Sequence, residues 1–111
     1  MHITMITKIK HDGSRCRKCA EVEDRLEHQG LLGRIDRIVI ADERDPESEG
    51  MQLAMSHKIE HAPFFIVEDD SGSKHIYTVY FRFLKEVLHH KVAEGEELAE
   101  IIEQNPDLDY I

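Results

Sequence analysis

Between residues 3 and 10 the apolar side chains Ile3, Met5 and Ile9 alternate with polar neighbours, the two-residue period of a strand with one buried face. His11-Asp12-Gly13-Ser14 then carries turn chemistry. Beyond it the period lengthens. Cys19, Val22 and Leu26 recur at helical spacing, which predicts a helix over about residues 16–29 with one inward stripe. Arg17, Glu21, Asp24 and Glu27 fall largely off that stripe, and Gly30 and Gly33 end the helix. Residues 35–41 give a second strand. Its unbroken Ile38-Val39-Ile40-Ala41 run predicts burial on both faces, as in a parallel sheet.

Asp45 is placed to cap, and Pro46 to open, a second helix over about residues 47–58. Met51, Ala54 and Met55 are its expected inner face, and Gly50 its weak point. Ala62-Pro63 leads into an apolar strand over residues 64–68. A turn at residues 69–73 returns the chain as a strand over residues 74–79. Phe81, Leu84, Val87 and Leu88 describe a third helix ending near His90. Leu98, Ile101 and Ile102 describe a fourth over residues 96–104, closed by Pro106.

The order is therefore β-α-β-α-β-β-α plus a C-terminal helix. A β-α-β half implies parallel strands with a right-handed crossover, and a β-β-α half implies antiparallel ones. The fold class is α/β: a four-stranded mixed sheet flanked by helices. With 111 residues the chain suits one domain, taken as residues 1–91, with residues 92–111 as an acidic helical extension of it.

Composition narrows the setting. A formal net charge of −9 argues against nucleic acid and anionic membrane as partners. No apolar run reaches spanning length, and the N-terminus has no leader-like apolar region. A monomer in the cytoplasm, with its cysteines reduced at rest, is the expectation. Acidity is concentrated at the C-terminal end: residues 92–111 hold seven Asp or Glu and no Lys or Arg.

Both cysteines stand in Ser14-Arg15-Cys16-Arg17-Lys18-Cys19, where the first strand gives way to the first helix. C-x-x-C spacing serves dithiol redox chemistry, half of a zinc site or part of an iron–sulfur site. At the start of a helix, unpaired N–H groups and the dipole favour a thiolate at Cys16, and Arg15, Arg17 and Lys18 add positive charge beside it. Cys16 is then the attacking sulfur. Cys19, a turn further on the buried stripe, is the resolving thiol, favoured by proximity.

The element order, Cys16-Arg17-Lys18-Cys19 after the first strand, and Ala62-Pro63 before the third together resemble the thioredoxin/glutaredoxin family, in particular its small divergent glutaredoxin-like members. The resemblance covers about residues 3–90. It implies a thioredoxin-like fold, a cis Pro63 beside the cysteine pair, and thiol–disulfide exchange with a protein or low-molecular-weight thiol and a reductant. The backbone of Ala62 and Pro63 would hold the substrate, and His61 would lie near the sulfurs to accept a proton. No organic cofactor is required, since electrons pass through a Cys16–Cys19 disulfide.

The chain departs from the family at several positions. Arg15 stands where thioredoxins carry Trp, and Lys10 where they carry a buried acid. Arg17-Lys18 replaces Gly-Pro or Pro-Tyr between the cysteines. No Gly-Gly follows Ile66, and Gly72 stands alone in a turn. Thioredoxin-type proton handling and glutathione dependence are therefore not carried over.

Two other classes compete. A zinc module would need the cysteines plus histidines such as His11, His28, His57, His61, His89 or His90, but no second C-x-x-C is present. A dedicated redox partner or scaffold would use the acidic extension, either docked on the domain through Leu98, Ile101 and Ile102 or presented to a basic surface.

Overall fold

The structure, a computed structural model, describes residues 1–93 and 95–104; the expected stop at Pro106 lies outside them. Strand β1 (His2–Ile9) is followed by helix α1 (Arg17–His28), a single 3-10 turn (Leu32–Arg34) and β2 (Arg37–Asp42). Helix α2 (Glu49–His57), β3 (Phe64–Glu68), β4 (Lys74–Tyr77), α3 (Tyr80–Glu86) and α4 (Glu96–Gln104) complete the order. The sheet runs β2-β1-β3-β4. β1 pairs parallel with β2 (Met5 beside Ile38) and antiparallel with β3 (Met5 beside Phe65), and β3 pairs antiparallel with β4. This is the expected α/β arrangement, thioredoxin-like in order and topology.

Side chains alternate across β1 and so supply two cores. Ile3 and Met5 face α1 and α3, meeting Val22, Leu26, Phe65, Phe83 and Leu84. Phe65 and Phe83 stack with ring centroids 3.9 Å apart. Ile6 faces the other way and packs with Val39, Ala41, Phe64 and Ile66 under α2. The α1 stripe is as expected, with Cys19, Val22 and Leu26 all buried.

Four expectations are corrected. First, β2 is an edge strand covered on one face only: Val39 and Ala41 are buried under α2, while Ile38 and Ile40 are exposed. Helices α1 and α3 sit over β1 and β3 and leave β2's second face open. Second, Ser48, not Asp45, is the N-cap of α2. Asp45 and Pro46 belong to the preceding turn, where Asp45 accepts the Glu47 and Ser48 N–H groups. Met55 is exposed, and Met51 and Ala54 are only half-buried. Third, α3 stops at Glu86, and the chain turns at His89, whose φ is 53°. Tyr80 and Phe83 lead its buried stripe, with Phe81 only partly covered.

Fourth, α4 does dock on the domain, but through a polar stripe. Glu97 pairs with Arg82 (2.7 Å) and Lys85 (2.7 Å). Glu100 reaches the start of α3, and Gln104 Nε2 donates to the Thr78 carbonyl at 2.6 Å. Leu98 is exposed.

Gly50 is a packing requirement rather than a weakness. A Cβ there would collide with backbone atoms of Ile40 and Ala41, where α2 crosses β2. Helix propensity alone would make Gly50→Ala stabilising by about 1 kcal/mol. Backbone cannot rotate out of the way as a side chain can, so the collision wins. Gly50→Ala is expected to destabilise the domain by about 1–3 kcal/mol in urea unfolding. Gly33→Ala, with nothing among the described residues within 4 Å, serves as the near-neutral control. Equal midpoints for the two variants would show that α2 stands off from β2.

Candidate functional site

The site is assembled around the backbone of Lys8, near the end of β1. Gly13, at φ 83°, lets residues 10–14 fold into a tight turn. Gly13 N–H donates to the Lys10 carbonyl at 2.9 Å, and Lys10 N–H to the Ser14 carbonyl at 2.8 Å. Asp12 accepts both the Ser14 N–H (2.8 Å) and its hydroxyl (2.6 Å); these bonds hold its carboxyl below the usual range. The chain is thereby returned against β1, with Arg15 bridged to Ile9. Cys16 N–H donates to the Lys8 carbonyl at 3.0 Å, and Lys8 N–H points at Cys19 Sγ, 3.4 Å away. One residue's backbone therefore locates both cysteines.

Cys16 is the N-cap residue of α1, half-buried, with φ −59° and ψ 125°. Its side chain makes no capping hydrogen bond, and the first turn, Arg17-Lys18-Cys19, contains no acid. The leading N–H groups of α1 are thus open to a negative charge at this end. Cys19, one turn later, is fully buried. Burial pushes its thiol up from 9.0 to about 12; the Lys8 N–H and the Arg15 charge work against this, and a hydrogen bond to Cys16 works with it.

Across from the pair, the Ala62–Pro63 peptide is cis, and Cys16 Sγ lies 3.9 Å from the Ala62 carbonyl oxygen. Lys8 Nζ donates to the Glu60 carbonyl at 3.3 Å, tying this loop to β1. Among the described residues the Ala62 N–H has no partner. Beside it a groove of about 400 Å³ runs between α2 and the Ile59–Ala62 loop. Its walls include Ile6, Phe64, Met51 and Met55, and Lys8, Lys58, Glu43 and His61 stand around them.

The structure therefore brings together Cys16, Cys19, Ala62 and Pro63. It distributes the three flanking cations differently from expectation. Arg15 is paired with Glu23, Arg17 with Glu21 at 3.2 Å, and Lys18 with Glu100 at 3.2 Å and Glu103 at 3.8 Å. Each positive charge is offset by a carboxylate. His61 borders the groove, but no hydrogen bond among the described residues joins it to either sulfur. Among the described residues no three or more His, Cys, Asp or Glu gather as a metal site.

Sequence reasoning missed Glu100. Its only signal was a helix whose polar positions Glu97, Glu100 and Gln104 share a face as regularly as its apolar ones. It also missed the groove, whose wall joins distant segments.

Fold and site together define a class: a thioredoxin-like α/β domain with a C-x-x-C pair at the start of its first helix. The chain matches no family model, no curated protein and no solved structure. Among the described residues no helix is long and apolar enough to cross a membrane.

The Cys19 thiol has a measurable consequence. A buried acid whose folded value lies above its unfolded one contributes stability below the unfolded value and loses it as pH rises through the folded value. For the reduced protein that window opens near pH 9 and runs to about 12. Tyr80, also pushed up to about 12 by burial, joins above pH 10. Between pH 9 and 10 the stability difference between reduced wild type and Cys19→Ala should therefore shift against the wild type, by at most about 1.4 kcal/mol per pH unit. Urea titrations across that range measure it. A constant difference would mean that the Cys19 thiol is not desolvated.

Proposed function

We propose that this protein is a thiol–disulfide oxidoreductase working through Cys16 and Cys19. The observation that carries the reading is the placement of a half-buried sulfur at an uncapped helix end, one turn ahead of a fully buried one and 3.9 Å from the Ala62 carbonyl. Cys16, as thiolate, attacks one sulfur of a substrate disulfide. A Cys16–substrate bond forms, the substrate S–S bond breaks, and the departing thiolate takes a proton from water. Cys19 then attacks the Cys16 sulfur, its proton passing to the second substrate sulfur as that leaves. Two electrons have moved to the substrate, and an external dithiol reductant returns the Cys16–Cys19 disulfide to the thiols.

Negative charge on Cys16 is accommodated chiefly by the open N–H groups of α1, because Arg15, Arg17 and Lys18 are each offset by a carboxylate. The Ala62 N–H, without a partner among the described residues, and its carbonyl would pair with an extended substrate backbone, as in strand addition. The apolar groove beside Ala62 then accepts a neighbouring substrate side chain. The substrate is a protein or low-molecular-weight disulfide.

In glutathione or dithiothreitol redox buffers the wild type should show one two-electron transition, abolished in both Cys16→Ser and Cys19→Ser. Cys19→Ser should accumulate mixed disulfides at position 16, and Cys16→Ser should not. Failure of the wild type to close an internal disulfide under any buffer would end this reading.

A further inference from the structure

We propose that Glu100, on α4, is a positioning residue that sets the reactivity of Cys16 through Lys18. Glu100 is a carboxylate only 4 % exposed, and nothing in the exchange chemistry calls for it. It accepts the Tyr80 N–H at 2.6 Å and the Phe81 N–H at 2.9 Å, filling the start of α3, where Val79 offers no capping side chain. The same carboxylate takes Lys18 Nζ at 3.2 Å, and Glu103 stands 3.8 Å from that ammonium. Lys18 lies between the two cysteines, in the first turn of α1, and its side chain is three-quarters covered.

One of the two cations that stand between the sulfurs in sequence is thus drawn across to α4 and paired there. In water such a pair would contribute little. Here the carboxylate is fixed by two backbone N–H groups and shielded from solvent, so it holds Lys18 in one place rather than meeting it transiently. Removing the carboxylate's charge frees an ammonium on the turn that carries Cys16. A free positive charge there favours the thiolate and raises its rate of attack. Glu100 therefore restrains Cys16, and does so only by way of Lys18. That dependence separates positioning from a purely structural role in anchoring α4.

This inference rests on Cys16 being the attacking sulfur, so the experiment reads each claim separately. Iodoacetamide alkylation of the reduced full-length protein at pH 7, resolved by residue with mass spectrometry, is compared for wild type, Glu100→Gln, Lys18→Met and the double variant. Glu100→Gln should raise the Cys16 rate about two- to tenfold, the effect of unmasking one partly solvated charge. Lys18→Met should stay within about twofold of wild type, and Lys18→Met with Glu100→Gln should lose the rise. Glu103→Gln, at an exposed position, should give a smaller rise in the same direction, also lost with Lys18→Met, and decides the matter if Glu100→Gln does not fold.

An unchanged Cys16 rate in the folded carboxylate variants overturns the proposal, as does a rise that persists without Lys18. A structural role alone would lower the melting temperature in both backgrounds and leave the rate unmoved. Faster modification of Cys19 than of Cys16 would instead strike at the assignment of the nucleophile.

Discussion

The backbone of Lys8 is the constraint on which the site depends. Its carbonyl takes the Cys16 N–H and its N–H faces Cys19 Sγ, so a single residue of β1 determines where both sulfurs stand. These groups are available because the neighbouring strand starts late. β3 pairs with β1 only from Phe64 beside Ile6, so Lys8 lies beyond the end of that ladder. The turn at residues 10–14 fills the vacated position with the cysteine segment, and on its other side Lys8 stays in register with Ala41 of β2. Sheet termination and site formation are one event: lengthening β3 by two residues would displace the cysteines.

Helix α1 gives up local stability to serve this arrangement. Ser, Thr, Asp or Asn at its N-cap would supply a hydrogen bond worth about 1 kcal/mol; Cys16 supplies none. The compensation lies elsewhere on the same helix. Cys19, Val22 and Leu26 bury a continuous stripe, Arg17 pairs with Glu21 on the outer face, and Glu23 takes Arg15 from the segment just before the helix. The helix is therefore held by its inner side and later turns, and its leading end stays open to charge. The two sulfurs differ for the same reason. One sits where N–H groups are unclaimed, and the other sits one turn into the core, where desolvation favours the neutral thiol.

The parts that were legible in the chain are those whose signal is local. The α1 stripe, the order of strands and helices and the C-x-x-C pair at a helix start all appear as read; the cis Ala62–Pro63 bond beside the pair comes from the family resemblance and not from a local signal. The misreadings come from tertiary context that periodicity does not encode. An unbroken apolar run is the mark of a strand covered on both faces, yet Ile38 and Ile40 are exposed because β2 is an edge with α2 over one face and, among the described residues, no helix over the other. Gly50 reads as a helix weakener until the backbone of β2 is placed against it. The three cations beside the cysteines read as support for a thiolate, but the carboxylates that meet them include Glu100 and Glu103, some eighty residues away in sequence.

Helix α4 shows why hydrophobic patterning misses a polar interface. A seven-residue helix such as α3 leaves most of its leading N–H groups without internal partners, and Val79 cannot cap it. An apolar helix laid over that end would bury those groups unsatisfied, at about 1–3 kcal/mol each. A carboxylate avoids this by accepting two of them at once, as Glu100 does for Tyr80 and Phe81. Once buried, the carboxylate needs a cation, since desolvating a lone charge is far less favourable than desolvating a paired one. Lys18 is that cation. The requirement to cap α3 thus leads, step by step, to an ionic contact on the helix that carries the cysteines. It also explains why α4, with no basic residue of its own, folds back onto Lys18 of α1 and Arg82 and Lys85 of α3.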